Sequence, residues 1–396
     1  MDYLVGMHKN KDGRHDISEI LLVSHAFPPD VGGAQQVAVQ NARMLSKTHK
    51  VEVLTSTNAP KGWDQRYDFT VTRVSTPFGV WPLRYARAFA ARSSRSYRAV
   101  IFNDPAALYA AGLSAPSSFL KRGIGYLHGT EPELFFSEPK LLYRLVRFRH
   151  YFKRGLAGCR VILPVSKYMQ RKFVEQTGLH GFESKMSVAY AGVDQSVFYP
   201  DPSDIRDHHD IEDTADVLLS ASRLVKQKGY DEMLQIFADL CREGHSLHWI
   251  IAGDGPYRES LLQEVEREGL SDCVTWVGEL TQDNLRQYYS AADAFWLLSK
   301  FREAFGLVYL EANACGTPVI GRDRGGVREA IQNGTTGFLV TNAEDCRRIL
   351  ANRRYQSLET EDVLDWAGDF GVKKAIQRLQ KIIDQVACSI DTEMGS

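Results

Sequence analysis

Short apolar, β-rich runs alternate with segments of helical periodicity along almost the whole chain, and this alternation constrains the fold most. Consecutive parallel strands need a crossover connection, which is usually a helix that covers the sheet. The pattern therefore predicts an α/β protein built from parallel sheets with helices on both faces. The predicted strands of the first half are Ile20–Ser24, Val51–Thr55, Ala99–Phe102, Gly123–His128 and Arg160–Val165, with a helix over Gln35–Lys47.

The alternation stops at Phe198–Thr214, which is polar, acidic and proline-bearing, and restarts after it. We interpret this stretch as a linker between two doubly wound units. At 396 residues the chain also exceeds what one hydrophobic core usually supports. The predicted strands of the second half are Val217–Ala221, Leu247–Ala252, Val274–Val277, Ala294–Leu298, Pro318–Gly321 and Gly337–Val340.

Cysteine spacing and hydropathy exclude several classes. The 6 cysteines form no CxxC pair, which disfavours a zinc site or a disulfide framework and favours a cytoplasmic location with reduced thiols. No apolar run reaches the roughly 18–20 residues of a membrane-spanning helix, and the polar start of the chain does not resemble a secretory signal. We expect residues 1–16 to form a flexible tail.

The net charge of −1 hides a strong asymmetry between the two halves. Residues 1–200 carry 27 Lys and Arg against 15 Asp and Glu, whereas the remainder carries 21 against 34. The basic excess concentrates in residues 84–98 and 140–154, where aromatic and aliphatic residues alternate with arginines. Such segments are typical of peripheral contact with an anionic membrane, and equally of ordinary amphipathic helices with a solvated face. No nucleic-acid-binding module accompanies the charge, so nucleic acid is not expected as a partner.

Three motifs follow predicted strands. Gly32 and Gly33 precede a helix, where backbone amides favour a phosphate, although any strand–helix turn also uses glycine. Arg223 and Lys228 follow the first strand of the second half and supply two cations for a diphosphate, or only solvated loop charge. Neither GxGxxG nor a P-loop motif is present, which disfavours dinucleotide and ATP sites.

The strongest motif joins two glutamates through a loop that turns into a helix. Glu303 lies before this helix and Glu311 lies eight residues later, a little over two helical turns. Two carboxylates at this separation suit the hydroxyls of a sugar and of a ribose, because each accepts hydrogen bonds from a vicinal diol. Between them, the amides of Phe305, Gly306 and Leu307 form another anion site.

The second half resembles glycosyltransferase family 4. The residues that carry this resemblance are EANACGTPVIGRDRGGVREAIQNGTTGFLV after Leu310, IIAGDGPYRESL at Ile250–Leu262, WVGEL at Trp276–Leu280 and AGVDQSVFYP at Ala191–Pro200. These pieces occur in the order of the family and cover most of residues 20–340. Ala191 replaces a frequent asparagine and Leu298 a frequent proline of the family.

The resemblance implies the GT-B fold, in which two Rossmann-like domains face each other across a deep cleft. It implies an N-terminal acceptor domain over residues 17–198 and a nucleotide-sugar donor domain over 199–365. The C-terminal helix of residues 366–396 is expected to pack back towards the first domain. The implied activity is transfer of a hexose, with retention of configuration, from a nucleoside diphosphate sugar to a hydroxyl acceptor. UDP and GDP are the favoured nucleotides of the donor. That acceptor would be a sugar, a lipid-linked group or a small molecule.

The resemblance also implies a role for each candidate residue. His128 and Glu303 would contact the donor sugar as the catalytic pair, although a lone histidine is also a common structural residue. Glu311 would bind the ribose, and the backbone at Gly278 and Leu280 would line the base pocket. The remaining candidates would bind the donor diphosphate; they are Gly32, Gly33, Arg223, Lys228, Phe305, Gly306 and Leu307.

No cofactor and no metal are expected, since no DxD motif is evident and the two cations can replace a divalent ion. Two other hypotheses stay open at this stage. One is a nucleotide-sugar hydrolase or epimerase on the same fold. The other is a catalytically silent protein that binds a sugar nucleotide or a partner.

Overall fold

The computed structural model describes residues 19–30, 32–74, 81–129, 131–133, 136 and 141–395. The expected tail of residues 1–16 lies outside the described residues. The chain divides into two compact units. The first unit comprises the described residues up to Tyr190 together with those from Ala375 onwards, and the second comprises Ala191–Lys374.

The first unit contains a parallel sheet of six strands in the described part of the chain, in the order β3-β2-β1-β4-β5-β6. Its central strands are covered on both faces, so they are continuous apolar runs rather than alternating ones. Ile20, Leu21, Leu22 and Val23 are all fully buried. The strands are β1 (Glu19–Ser24), β2 (Lys50–Thr55), β3 (Thr70–Arg73), β4 (Tyr97–Phe102), β5 (Gly123–Leu127) and β6 (Val161–Pro164).

Helices begin in the first unit where the sequence supplies a cap. The Asp104 side chain accepts a hydrogen bond from the Ala107 amide at the start of α3, and Pro105 occupies the first helical position. The helices are α1 (Gly33–Leu45), α2 (Trp81–Ala90), α3 (Pro105–Ser114), α4 (Ser117–Lys121), α5 (Leu141–Leu145), α6 (Phe148–Gly158) and α7 (Lys167–Thr177).

The second unit repeats this architecture, with the strand order β12-β11-β10-β7-β8-β9 and parallel pairing among the described residues. Trp249 and Trp296 are fully buried in its core, 5.0 Å apart between ring centroids. The strands are β7 (Asp216–Ala221), β8 (Leu247–Ala252), β9 (Val274–Gly278), β10 (Ala294–Leu297), β11 (Val319–Arg322) and β12 (Gly337–Val340).

The helices from residue 205 onwards connect these strands, and the last one returns to the first unit from Ala375. They are α8 (Ile205–His208), α9 (Tyr230–Arg242), α10 (Arg258–Arg267), α11 (Gln282–Ala291), α12 (Leu307–Ala314), α13 (Val327–Ala330), α14 (Ala343–Ala351), α15 (Thr360–Asp369) and α16 (Val372–Gly395). No helix among the described residues has the length and apolar character needed to cross a bilayer.

Both sheets reverse their strand order at one point, between β1 and β4 in the first unit and between β7 and β10 in the second. Ligands of doubly wound folds bind outside the carboxyl ends of the strands at such a point. The loops that follow these four strands are therefore where each unit offers a ligand site.

The predicted linker over residues 198–214 is wrong, because this stretch packs within the second unit. Ile205 and Ile211 are 5% and 7% exposed, and the Arg206 guanidinium pairs with Asp293 at 2.6 Å. The preceding residues also belong to this unit, since the Val193 amide donates to the Phe370 carbonyl at 2.9 Å. The polar composition of residues 198–214 predicted a solvated segment. In the structure, the few apolar residues of this segment and Arg206 attach the segment to the second unit.

The unit boundaries at Tyr190/Ala191 and Lys374/Ala375 thus differ from the expected 198/199 and 365/366. Residues 366–374 stay with the second unit because the Trp366 indole donates to the Ala330 carbonyl at 2.8 Å. Asp384 on α16 pairs with Arg98 of the first unit at 2.7 Å.

The structure shows which cations of the first basic segment are paired. Arg92 and Arg95 both pair with Glu52, so these cations of the segment 84–98 are engaged internally.

Strand β3 was not predicted from the sequence. It is a four-residue edge strand whose side chains are half-buried or exposed, and it therefore carries no apolar run.

Candidate active site

The loop after β7 brings Lys228 to the end of β10. Gly229 has a φ of 84° and lies so close to the chain that a Cβ would be 2.2 Å from the Leu298 carbonyl oxygen, so only glycine fits. The Lys300 amide also donates to the Gln227 carbonyl at 2.8 Å. The close approach of these two loops follows from strand order, because β7 and β10 are neighbours at the point of reversal.

At this junction Lys228 and Glu303 form an ion pair, with 2.7 Å between Nζ and Oε1. The Ser299 hydroxyl donates to the same carboxylate oxygen at 2.8 Å. Both charged side chains are about four-fifths covered, at 20% and 23% exposure, and are therefore held in place while still reachable by a ligand. Arg223, in contrast, is exposed, and no ion pair engages it among the described residues.

Two glycines after β11 support the loop that carries Glu303. The Gly326 amide donates to the Glu303 carbonyl at 2.8 Å. A Cβ at Gly325 or Gly326 would be 2.7 Å and 2.2 Å from the carbonyl oxygens of Glu303 and Ala304, respectively. The sequence signal for this support was the glycine pair in DRGG, which the sequence analysis did not assign to the site.

Helix α12 begins directly after Gly306, as the motif predicts. Gly306 has a φ of 107°, and a Cβ there would be 2.9 Å from the Tyr309 ring. Phe305 is buried with its ring 5.4 Å from that of Phe370, which anchors the loop, and Leu307 is half-buried at the first helical position. The first turn of α12 has no acidic residue, and no side chain caps the helix at Gly306.

Glu311 lies within α12 and is only 7% exposed. Burial raises the pKa of its carboxyl from 4.5 to about 7, against the opposing effect of the Tyr289 hydroxyl, which donates to it at 3.3 Å. A half-ionised buried carboxyl is costly for a fold and is a common signature of a ligand-binding position.

The expected base pocket follows β9. Gly278 has a φ of 73°, and its carbonyl accepts from the Gly253 amide at 2.6 Å. The Trp276 indole donates to the Gly253 carbonyl at 2.8 Å, which fixes the ends of β8 and β9 to each other. Leu280 is half-buried two residues further on.

In the first unit, Gly32 and Gly33 lie at the start of α1. Gly32 precedes the helix without any side-chain cap, and a Cβ on Gly33 would meet nothing within 4 Å. The first turn of α1 therefore presents amides that are not blocked by side chains at these two positions.

His128 directly follows β5, and its imidazole is held in one orientation. Its Nε2 lies 2.7 Å from the Asn103 carbonyl oxygen, which only accepts hydrogen bonds, so Nε2 carries the proton and Nδ1 is the acceptor of the ring. Burial lowers the pKa of His128, with Glu131 and Asp104 opposing the shift. The imidazole is therefore neutral at physiological pH.

The backbone around His128 is held by two buried charges that the sequence analysis missed. Glu131 is fully buried and accepts from the amides of His128 and Gly129, both at 2.7 Å. Lys172 donates to the Gly129 carbonyl at 2.5 Å and pairs with Glu133 at 2.7 Å. The available signal was a glutamate three residues after the histidine.

Glu131→Ala is expected to lower the free energy of unfolding by about 3 kcal/mol, because it leaves two buried amides without their charged acceptor. Urea denaturation checks this. Glu183→Ala removes an exposed glutamate of the same unit and is the matched control, with an expected change within about 0.5 kcal/mol. Equal effects of the two substitutions would contradict the assigned role.

Asp104 organises the end of β4 beside the end of β1. Its Oδ2 accepts from the Ser24 hydroxyl at 3.1 Å and from the His25 amide at 2.5 Å. The Asn103 amide group donates to the Ser24 hydroxyl at 3.2 Å. None of these residues belongs to a recognisable motif, so the sequence gives no signal for them.

The candidate residues thus fall into two sets. Lys228, Glu303 and the start of α12 lie together in the second unit, and Arg223, Glu311, Gly278 and Leu280 belong to the same unit. His128, Gly32 and Gly33 belong to the first unit, at loops that follow strands β5 and β1. In each unit these loops follow the carboxyl ends of the strands, as the fold requires of a ligand site.

Two family models match consecutive parts of the chain. The model "Glycosyltransferase Family 4" matches residues 31–197, and "Glycosyl transferases group 1" matches residues 201–352. With the paired doubly wound units, these matches define the chain as a glycosyltransferase of the GT-B class. It belongs to the family 4 type, which confirms the resemblance found in the sequence.

Curated relatives are glycosyltransferases of several kinds. The chain is 30% identical over 262 residues to the N-acetyl-alpha-D-glucosaminyl L-malate synthase of Bacillus anthracis. The aligned residues make up 65% of this chain and 65% of that protein. It is 28% identical over 345 residues to the GDP-mannose-dependent alpha-(1-6)-phosphatidylinositol monomannoside mannosyltransferase of Mycolicibacterium smegmatis. That match covers 82% of this chain and 86% of the relative.

Solved structures share the fold at lower identity. Anabaena HepE, solved with UDP and glucose, superposes with a TM-score of 0.76 and 21% identity, over 93% of this chain and 100% of that one. Sucrose-phosphate synthase from Thermosynechococcus elongatus gives a TM-score of 0.74 at 18% identity, over 94% and 100%. The predicted fold class, α/β with the GT-B architecture, is confirmed.

Proposed function

We propose that the protein is a retaining glycosyltransferase that moves a hexose from a nucleoside diphosphate sugar to a hydroxyl acceptor. The observation that carries this proposal is the arrangement in the second unit, where a cation, a carboxylate and a helix start meet at the strand reversal. Lys228 and Glu303 form an ion pair in the loop that leads into α12, and Glu311 is buried one turn into that helix.

Each group of a sugar nucleotide has a chemically matched partner in this arrangement. The diphosphate is anionic and suits Arg223, Lys228 and the amides at Phe305–Leu307. The amides at Gly32 and Gly33 are the candidate diphosphate-binding groups of the first unit. The ribose diol suits Glu311, because a buried carboxylate regains hydrogen bonds when two hydroxyls donate to it. Glu303 suits the hydroxyls of the transferred sugar, and Gly278 and Leu280 line the base.

The proposed chemistry retains the configuration of the sugar. The acceptor hydroxyl attacks the anomeric carbon on the face from which the diphosphate leaves, and the departing phosphate oxygen takes the hydroxyl proton. Glu303 is engaged by Lys228 and Ser299 on one oxygen, which suits a binding group rather than the free nucleophile of a retaining hydrolase. His128 is neutral, and its Nε2 donates to the Asn103 carbonyl oxygen. We assign this imidazole to orienting the sugar.

The two cations supply the charge stabilisation that a divalent metal supplies in other transferases, so no metal and no cofactor are part of the proposal. Excess EDTA is expected to leave donor turnover unchanged, because the proposed cations are protein side chains that a chelator cannot remove. Released nucleotide measures this. Loss of activity in chelator that added Mg²⁺ or Mn²⁺ restores would contradict the metal-free mechanism.

A catalytically silent binding protein and a sugar-nucleotide hydrolase or epimerase are the competing functions. A screen against UDP-, GDP-, ADP- and dTDP-sugars separates them, with thermal shift for binding and released nucleotide for turnover. UDP and GDP are the favoured donors, since one relative is GDP-mannose-dependent and one neighbouring structure holds UDP.

One clear donor whose binding is lost in Arg223→Ala and in Glu311→Ala is the expected result of this screen. Binding without turnover, with or without a range of hydroxyl acceptors, would favour the silent protein. Turnover that no acceptor accelerates would favour the hydrolase, and a free epimerised donor would favour the epimerase. No stabilisation by any sugar nucleotide would contradict the proposed function.

A further inference from the structure

Most of the exposed large apolar side chains among the described residues lie on one part of the first unit. Leu83 on α2 is 69% exposed, and three leucines on the short helix α5 are 65–72% exposed. We call the following set the leucine ridge: Leu83, Leu141, Leu142, Leu145 and Val146. A soluble protein rarely exposes such a cluster without a partner for it.

The two parts of the leucine ridge flank the same helix. The Trp81 ring on α2 lies 5.5 Å from the Tyr109 ring of α3, measured between centroids. The Tyr109 hydroxyl donates to the carbonyl of Val146, directly after α5, at 3.2 Å. Leu83 and the α5 leucines therefore lie on two elements that both contact Tyr109 of α3.

Arginines alternate in sequence with the leucine-ridge residues, and no acidic residue occurs within residues 81–99 or 141–154. We call the exposed cations of these elements the basic rim: Arg84, Arg87, Arg144, Arg147, Arg149 and Arg154. Arg84 and Arg144 form no ion pair among the described residues. The cations of α2 and α5 thus differ from Arg92 and Arg95, which Glu52 neutralises.

The same surface adjoins the carboxyl edge of the first sheet. The Trp81 ring lies 4.6 Å from the ring of His25, which directly follows β1. His128 follows β5 at that edge, since β1 and β5 run parallel in one sheet. Helix α2, which carries Leu83, therefore contacts the same edge of the sheet that carries His128.

We propose that the leucine ridge and the basic rim dock the first unit on a bilayer that contains anionic lipid. Exposed leucines insert among acyl chains, and arginines around them contact lipid phosphates, which is the combination that interfacial binding needs. Docking does not depend on the proposed function.

Vesicle sedimentation of the full chain tests the docking without any donor. We expect binding to vesicles of phosphatidylcholine with phosphatidylglycerol, little binding to pure phosphatidylcholine, and weakening as sodium chloride is raised. Arg84→Glu/Arg144→Glu is expected to reduce the partition coefficient by at least about 25-fold, at about fivefold for each cation removed. Leu141→Ser/Leu142→Ser/Leu145→Ser is expected to abolish binding, with an unchanged melting temperature because these side chains are already exposed.

The matched control is Lys47→Glu/Lys121→Glu, which makes the same charge change on exposed lysines that precede β2 and β5. It is expected to retain most of the binding. The proposal is overturned by no binding to anionic vesicles, by equal binding to neutral ones, or by a control that loses as much as the Arg84/Arg144 variant. Self-association that the leucine substitutions abolish, without vesicle binding, would instead make the ridge an interface between two copies.

Discussion

Lys228→Ala is expected to lower kcat/KM for the sugar-nucleotide donor by about 10²–10³, with most of the loss in kcat. Lys228 is the cation that the structure holds beside the start of α12, and charge on the leaving diphosphate grows as the glycosidic bond breaks. The pair with Glu303 is about four-fifths covered, so its loss is expected to cost about 1–3 kcal/mol of stability, and a thermal melt checks that the variant folds. Released nucleotide under initial-rate conditions gives both constants.

Lys226→Ala is the matched control for this substitution, because Lys226 lies on the same short turn and is exposed. We expect it to stay within about threefold of the parent, since a solvated lysine on this turn contributes only long-range charge. Lys228→Arg is expected to recover part of the lost rate through a retained positive charge. A Lys228→Ala variant as active as the Lys226→Ala variant would remove Lys228 from the mechanism.

Glu311→Gln is expected to stabilise the ligand-free protein at pH 8 by about 3 kcal/mol and to have little effect at pH 4. The folded pKa of about 7 lies above the ordinary value of 4.5. Below pH 4.5 the carboxyl is protonated in both states. As the pH rises from 4.5 to 7, only the unfolded state ionises fully and stability is lost, at about 1.4 kcal/mol for each pKa unit. Glutamine does not titrate, so the variant does not lose this stability as the pH rises.

The same substitution is expected to weaken nucleotide binding by about 10²-fold, because a charged acceptor of two ribose hydroxyls is replaced by a neutral amide. Urea denaturation at the two pH values and isothermal titration with UDP and GDP measure the two effects. Glu361→Gln, an exposed glutamate on α15, is the control and should change neither. A stability difference that does not vary with pH would contradict the assigned burial cost.

The sequence predicted the fold well because parallel strands buried on both faces leave continuous apolar runs. Leu247–Ala252 and Gly337–Val340 have the bounds that the pattern predicted. The pattern failed where burial does not depend on such runs. The edge strand Thr70–Arg73 is only partly covered, and residues 198–214 are fixed by scattered contacts such as Arg206 with Asp293.

The residues of the candidate site also fall into those that the sequence predicted and those that it did not. Glycines and charges after strands carried a sequence signal, so Gly306, Lys228 and Glu303 were selected before any contact was known. The contacts that hold Glu303 and His128 depend on residues distant in sequence, such as Gly326 against Ala304 and Asn103 against His128. Spacing along the chain cannot predict which distant backbone groups meet, and the supporting residues were therefore missed.

The central claim is retaining transfer from a nucleotide sugar, and time-resolved proton NMR of the first sugar released or transferred from an α-linked donor tests it most directly. We expect the α anomer to appear first, before mutarotation, together with one equivalent of nucleoside diphosphate. Initial appearance of the β anomer would contradict retention. No release of nucleotide from any donor, in the presence of a wide acceptor set, would contradict the claim that this chain is a sugar-nucleotide-dependent enzyme.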